Sequence, residues 1–138
     1  MSKINGIYAA SVSILDENLK LDIHKTIRHA ENLIKSGCHG VVIFGSTGQS
    51  QLISLEEKFE LIQNISKSIF KDKFIIGTGL NSLQDTISLI KISNSYNFNN
   101  FLIMPPAYYM YEDKDVIRFY VKLIEKLSNC KIILYNFE

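Results

Sequence analysis

Apolar residues alternate between two textures along this chain. Short, dense runs occupy 7–12, 40–44, 74–77, 101–104 and 132–135. They are rich in Ile, Val, Leu and Phe and show little polar alternation, which predicts strands covered on both faces of a parallel sheet. Longer segments with helical periodicity lie between them. After Asp22, a candidate N-cap, Ile23, Ile27, Ala30 and Ile34 recur at intervals of four, three and four, and the segment ends at Gly37. Ser54-Leu-Glu-Glu57 has the spacing of a capping box and opens a segment with Leu55, Phe59, Ile62, Ile65 and Ile69 on one predicted face. Ser82, with Asp85 three positions on, precedes Leu83, Ile87 and Ile90, and Asp113 precedes Val116, Ile117, Tyr120, Ile124 and Leu127.

The resulting order is β-α-β-α-β-α-β-α-β, an α/β chain with helices laid over a parallel sheet. Right-handed crossovers suit a closed barrel and a doubly wound open sheet equally well. Strand starts near 7, 40, 74, 101 and 132 give a βα unit of roughly thirty residues, about one eighth of a ~250-residue (β/α)8 barrel. The expected architecture is therefore a partial barrel of four βα units plus a fifth strand. Residues 1–138 are then the N-terminal portion of a single barrel domain. A self-contained domain rarely finishes on a strand such as Ile132-Ile-Leu-Tyr-Asn136 with no helix to cover it, because the edge stays open to pairing.

Composition narrows the partners. Fifteen Lys and Arg against fourteen Asp and Glu leave a formal charge of +1, and the basic residues are scattered rather than gathered in a stripe. That distribution argues against nucleic acid. No run approaches the length of a membrane span, and the opening residues lack the hydrophobic region and cleavage site of a secretory signal, so a cytoplasmic location is expected. Cys38 and Cys130 stand far apart without CxxC or Cys/His spacing and read as two small buried residues. His24 and His29 are not at an i,i+4 spacing, and His39 is isolated, so no zinc signature is present. No cofactor is called for.

Parallel α/β sheets place their sites at the carboxyl ends of the strands. After the second run comes Gly45-Ser46-Thr47-Gly48-Gln49, in which two hydroxyls lie between glycines that permit a tight turn. Exposed N–H groups and hydroxyls in such a turn can ligate a carboxylate without a cation. The segment is neither a dinucleotide GxGxxG nor a lysine-containing P-loop. The fourth and fifth runs lead into Pro105-Pro106-Ala107-Tyr108-Tyr109 and Tyr135-Asn136, so both set phenols at strand ends. A tyrosine hydroxyl with an ordinary pKa of about 10 is a poor base alone, but it relays protons when held between exchanging groups. Packing is the competing use of each tyrosine.

Together these landmarks resemble the family of dihydrodipicolinate synthase and N-acetylneuraminate lyase, the class I Schiff-base aldolases acting on 2-oxo acids. The likeness runs through Gly6 and Ala10, Gly37 and Gly40, Gly45-Ser-Thr-Gly48, Leu52 to Glu57, Gly79-Leu-Asn-Ser82, Pro105-Pro-Ala-Tyr108 and Leu134-Tyr-Asn136. The resemblance implies that Ser46 and Thr47, held between Gly45 and Gly48, bind the carboxylate of pyruvate or a related 2-oxo acid. It implies that Tyr135 passes protons to the carbonyl oxygen while a lysine attacks the carbonyl carbon. The resemblance also implies that Tyr108, in preference to Tyr109, reaches the relay of a neighbouring subunit, so that the parent is expected to be a homodimer or homotetramer. The Schiff-base lysine belongs to a sixth strand, and Lys131, upstream of the fifth, is at the wrong end. The chain departs from the family's usual pattern at Ser13-Ile14, where Thr-Pro is usual, at Gln49, where Glu is usual, and at Glu138, where Pro is usual. The change at Glu138 weighs more against dihydrodipicolinate synthesis than against aldol chemistry in general. By this reading the chain alone lacks turnover. The alternatives are a non-catalytic half-barrel that serves binding or assembly, and an unrelated enzyme on an open sheet.

Overall fold

A computed structural model describes residues 4–136. It contains five strands, β1 (Tyr8–Ala10), β2 (Gly40–Ile43), β3 (Phe74–Gly77), β4 (Asn100–Ile103) and β5 (Lys131–Leu134). Four helices alternate with them, α1 (Ile23–Lys35), α2 (Leu55–Ile65), α3 (Leu83–Ser95) and α4 (Asp113–Lys126). All neighbouring strands pair in parallel, in the order β1-β2-β3-β4-β5. That order separates the two topologies left open by hydrophobic pattern. A doubly wound sheet reverses direction at a switch point, whereas every crossover here steps the same way. Each helix packs on the next, α1 on α2, α2 on α3 and α3 on α4, so with crossovers of one hand they form a single outer layer. The fold is part of a (β/α)8 barrel.

The helices begin where side chains can satisfy their free N–H groups. Asp22, Ser54 and Ser82 each accept from the backbone three residues on, and Glu57 closes the capping box by accepting from Ser54 N at 2.9 Å. The other oxygen of Glu57 accepts from Leu21 N at 2.8 Å, so one carboxylate joins the start of α2 to the segment before α1. These bonds hold the carboxyl below the usual range, Leu21 N–H foremost. At the end of α1 Gly37, at φ +111°, donates to Ile34 O while Cys38 donates to Leu33 O, the paired bonds of a Schellman motif.

The core lies between the helices and one face of the sheet. Val41, Ile43, Phe74, Ile76, Phe101 and Ile103 all point into it and are buried. On the opposite face, Val42, Leu102 and Ile133 are only half-buried.

Several expectations are corrected. The second helix stops at Ile65, and Ile69 is 90% exposed, because Ser66 and Ser68 turn the chain with bonds to Gln63 O and Glu31. Glu112 rather than Asp113 caps α4. Leu123 is its buried residue, while Ile117 and Ile124 face outward with Val121. β1 is shorter than its apolar run, leaving Ile7 and Val12 exposed. Cys38 and Cys130 are free thiols that are only partly buried, and burial pushes that of Cys130 up. Lys131 is the first residue of β5 rather than upstream of it, still at the amino end. Glu138 lies outside the described residues. No helix among the described residues is long and apolar enough to cross a membrane.

Candidate active site

The chain leaves β2 through two sharp reversals. Phe44 and Gln49 both adopt left-handed φ, 56° and 49°, and the turn 45–48 lies between them. For a bulky residue such as Phe44 this is a strained conformation that the surroundings must hold. Gly77 makes it sterically possible, since a Cβ there would overlap the Phe44 backbone. The turn closes on itself through Gln49 N to Ser46 O at 2.9 Å and Ser50 N to Gly45 O at 3.3 Å. Ser13 Oγ, from the segment after β1, donates to Gly48 O at 2.6 Å. Among the described residues the N–H groups of Ser46, Thr47 and Gly48 donate to no protein acceptor. Unused donors in successive turn residues favour an anion.

Tyr135 arrives from the far end of the sheet. Its N–H donates to Ile103 O at 3.0 Å, continuing the β4–β5 ladder by one residue. The same carbonyl accepts from Tyr120 OH of α4 at 2.7 Å. Burial raises the pKa of Tyr120, with the Tyr135 backbone bond opposing it. Thus fixed, the Tyr135 phenol meets Ser46 Oγ at 2.9 Å, across 89 positions of sequence. Either oxygen can donate, which is what a hydroxyl relay requires.

The pair stands at the wall of a cavity of about 400 Å³. Phe44, Gly45, Ser46, Ser50, Leu102 and Tyr135 contribute to its lining, with Gly79, Met104 and Ala107. Ala107 is tied across to the loop after β3 by its N–H to Asn81 Oδ1 at 3.0 Å. Thr47 and Gly48 belong to the turn but not to the lining, and Gly48 is buried behind it. Tyr108 is 80% exposed on the loop after β4 and lies outside the cavity, its ring edge-on to Tyr109 at 4.9 Å. No lysine lines the cavity among the described residues. Ser46 and Tyr135 are therefore brought together, whereas Tyr108 is not joined to them within one chain.

Lys58 and Tyr120 are polar residues behind the site that pattern reading missed. Lys58 is fully buried, its Nζ donating to Ser50 O at 2.7 Å and lying 5.7 Å from the centroid of the Phe44 ring. Its signal was available: it sits three, four and seven positions before Leu61, Ile62 and Ile65 on their buried stripe. Tyr120 was read only as part of an apolar face.

The chain is similar to known proteins along nearly all of its length. The family model for the dihydrodipicolinate synthetase family matches residues 3–138. The 4-hydroxy-tetrahydrodipicolinate synthase of Desulforudis audaxviator (strain MP104C) is 28% identical over 131 residues, covering 94% of this chain and 44% of that protein. The crystal structure of dihydrodipicolinate synthase from Agrobacterium tumefaciens str. C58 superposes with a TM-score of 0.88 at 23% identity, over 96% of this chain and 47% of that one. A variant of the 2-keto-3-deoxygluconate aldolase of Sulfolobus solfataricus, solved as a pyruvate complex, gives a TM-score of 0.84 at 27% identity, over 96% and 45%. The chain thus spans less than half the length of each of these relatives. With the strand order, the turn after β2 and the match along nearly all of its residues, the chain belongs to the dihydrodipicolinate synthetase family.

Proposed function

We propose that this chain supplies the carboxylate-binding turn and the proton relay of a pyruvate-dependent class I aldolase or synthase. The observation that carries the reading is the 2.9 Å contact of Ser46 Oγ with Tyr135 OH at the wall of an open cavity. A 2-oxo acid entering there sets its carboxylate on the turn, where Ser46, Thr47 and Gly48 hold unused N–H donors. Its carbonyl oxygen then faces the Tyr135 phenol, and Ser46 passes the proton onward. The nucleophile that completes the chemistry is a lysine outside these residues, since no amine lines the cavity among the described residues. Pyruvate is the favoured ligand because it carries both a carboxylate and a 2-oxo group and a related aldolase has been solved with it. The exposed Tyr108 suits a role in a neighbouring subunit's relay, which makes a dimer or tetramer the working unit.

Borohydride reduction in the presence of pyruvate tests the division of labour. A polypeptide extended through a sixth βα unit should trap one equivalent of pyruvate on a single lysine, and the 138-residue chain none. A stoichiometric adduct on one lysine of this chain would overturn the assignment of the nucleophile. Absence of the adduct in the extended protein would overturn the Schiff-base reading altogether. The missing amine also favours a second reading for the chain by itself, as a pyruvate-binding half-barrel without turnover.

A further inference from the structure

Lys58, behind the relay, is a buried cation that the proposed chemistry does not use. Lysine is almost never fully buried without a paired charge, and Lys58 makes no ion pair within 4.0 Å among the described residues. Its partners are instead the two residues that bracket the turn. The Phe44 ring precedes it, and Ser50 O, the acceptor at 2.7 Å, follows it. Ser50 is itself a junction. Its N–H closes the turn onto Gly45 O, its Oγ donates to Thr78 O at 3.1 Å, and Gly79 comes so close that a Cβ there would overlap the Ser50 side chain. Because Ser50 lines the cavity, Lys58 stands one residue behind its wall.

We propose that Lys58 is the positioning residue of the carboxylate turn, a strut that fixes Ser50 against β3 and whose positive charge is balanced by the bound 2-oxo acid. The second part rests on the functional reading above, and the first does not. A neutral donor would meet the hydrogen-bonding need of Ser50 O without the desolvation that a buried ammonium carries. A cation also makes the turn favourable for an anion, and a bound anion in turn favours the charged form of the lysine. Burial pulls the Lys58 pKa down to about 8, against the opposing charges of Asp85 and Glu57. Asp85, from the first turn of α3, and Glu57, on its own helix, are the charged groups that act on it.

The test is a nuclear magnetic resonance titration of the 138-residue chain, following the Ser46, Thr47 and Gly48 amides between pH 7 and pH 9.5 with and without pyruvate. In the wild type these amides should move with a midpoint near that of Lys58, and pyruvate affinity should fall about tenfold as the lysine loses its proton. Lys58→Met should abolish the pH-dependent movement and weaken pyruvate about tenfold at pH 7, while Lys58→Arg retains part of the affinity. The wild-type profile decides the positioning claim even if neither variant folds. Turn amides that do not respond to ionisation of Lys58 would overturn that claim. Amides that respond while pyruvate binds nowhere in the range support the strut, and it is the functional reading that then fails. Pyruvate binding whose affinity is flat across the range overturns the charge-balance part.

Discussion

The middle of the sheet and its β5 edge differ in how completely they are enclosed. In the middle, β2 and β3 turn Val41, Ile43, Phe74 and Ile76 toward three helices, and all are buried. At β5, Ile132 and Leu134 pair with Phe101 and Ile103 on the same face, yet Leu134 is 67% exposed. The residues are similarly apolar, so the difference comes from the layer above them. A strand's burial is decided by the helices on either side of it, and among the described residues β5 has one only on its β4 side. The outer face of α4 repeats the pattern, with Ile117, Val121 and Ile124 uncovered. The site draws one partner from each region, Ser46 from the enclosed one and Tyr135 from the open one.

The largest test of this contrast is a pair of truncations. Ile76→Ala should lose about 2–5 kcal/mol and Leu134→Ala no more than about 0.5 kcal/mol, measured as shifts of the urea midpoint. Equal losses would mean that β5 is as well covered in solution as β3.

Alkaline titration sharpens the comparison, because the regions should respond with opposite sign. Lys58 has a folded pKa near 8 against an ordinary 10.5. Between those values the unfolded chain holds more protons, so stability should rise with pH, by about 3 kcal/mol in all if the full shift is realised. Tyr120 is shifted upward by burial. Above pH ~10 the unfolded state loses that proton first, so its contribution is present below this pH and falls as pH rises through the folded value. Unfolding free energies at pH 7.5, 9, 10 and 11 should therefore climb and then turn over. Lys58→Met should remove the climb, and Tyr120→Phe should soften the turnover.

Substitutions at Ser46, Thr47 and Tyr135 separate the two halves of the site. Ser46→Ala with Thr47→Ala should weaken pyruvate binding by about 1.5–3 kcal/mol, less than the sum of the single changes. Tyr135→Phe should alter binding little but cost about 10²–10⁴ in turnover of an extended enzyme. Calorimetry and steady-state kinetics read the two effects independently, and a Tyr135→Phe enzyme of near-normal kcat would return that residue to a packing role. Tyr120→Phe should cost about 0.5–1.5 kcal/mol by removing one of the two donors to Ile103 O, and its effect should centre on the β4–β5 pair. Hydrogen exchange at Tyr135 N–H, compared with that at Ile76, checks the localisation.

Much of this was legible in the residues. The caps at Asp22, Ser54 and Ser82 and the alternation of apolar textures mark the elements, because capping and periodicity act locally. The resemblance assigned Ser46 and Tyr135 separate roles toward one substrate, but their contact came only with the fold, since nothing local predicts a meeting 89 positions apart. Lys58 was missed because a polar letter on a helix reads as a solvent-facing position, although the stripe it shares with Leu61 and Ile65 pointed inward. Ile69 and Ile124 misled in the other direction. Their apolar character was plain, but whether a neighbour covers them depends on tertiary packing.

The order in which the strands pair has a consequence for biosynthesis. Every strand takes as its partner the one made about thirty residues earlier, and each helix docks on its predecessor. Growth of the sheet therefore never waits for a distant segment, and the loop closed at each step is short. On a ribosome delivering roughly 5–20 residues per second, each βα unit has a second or more to settle before the next emerges.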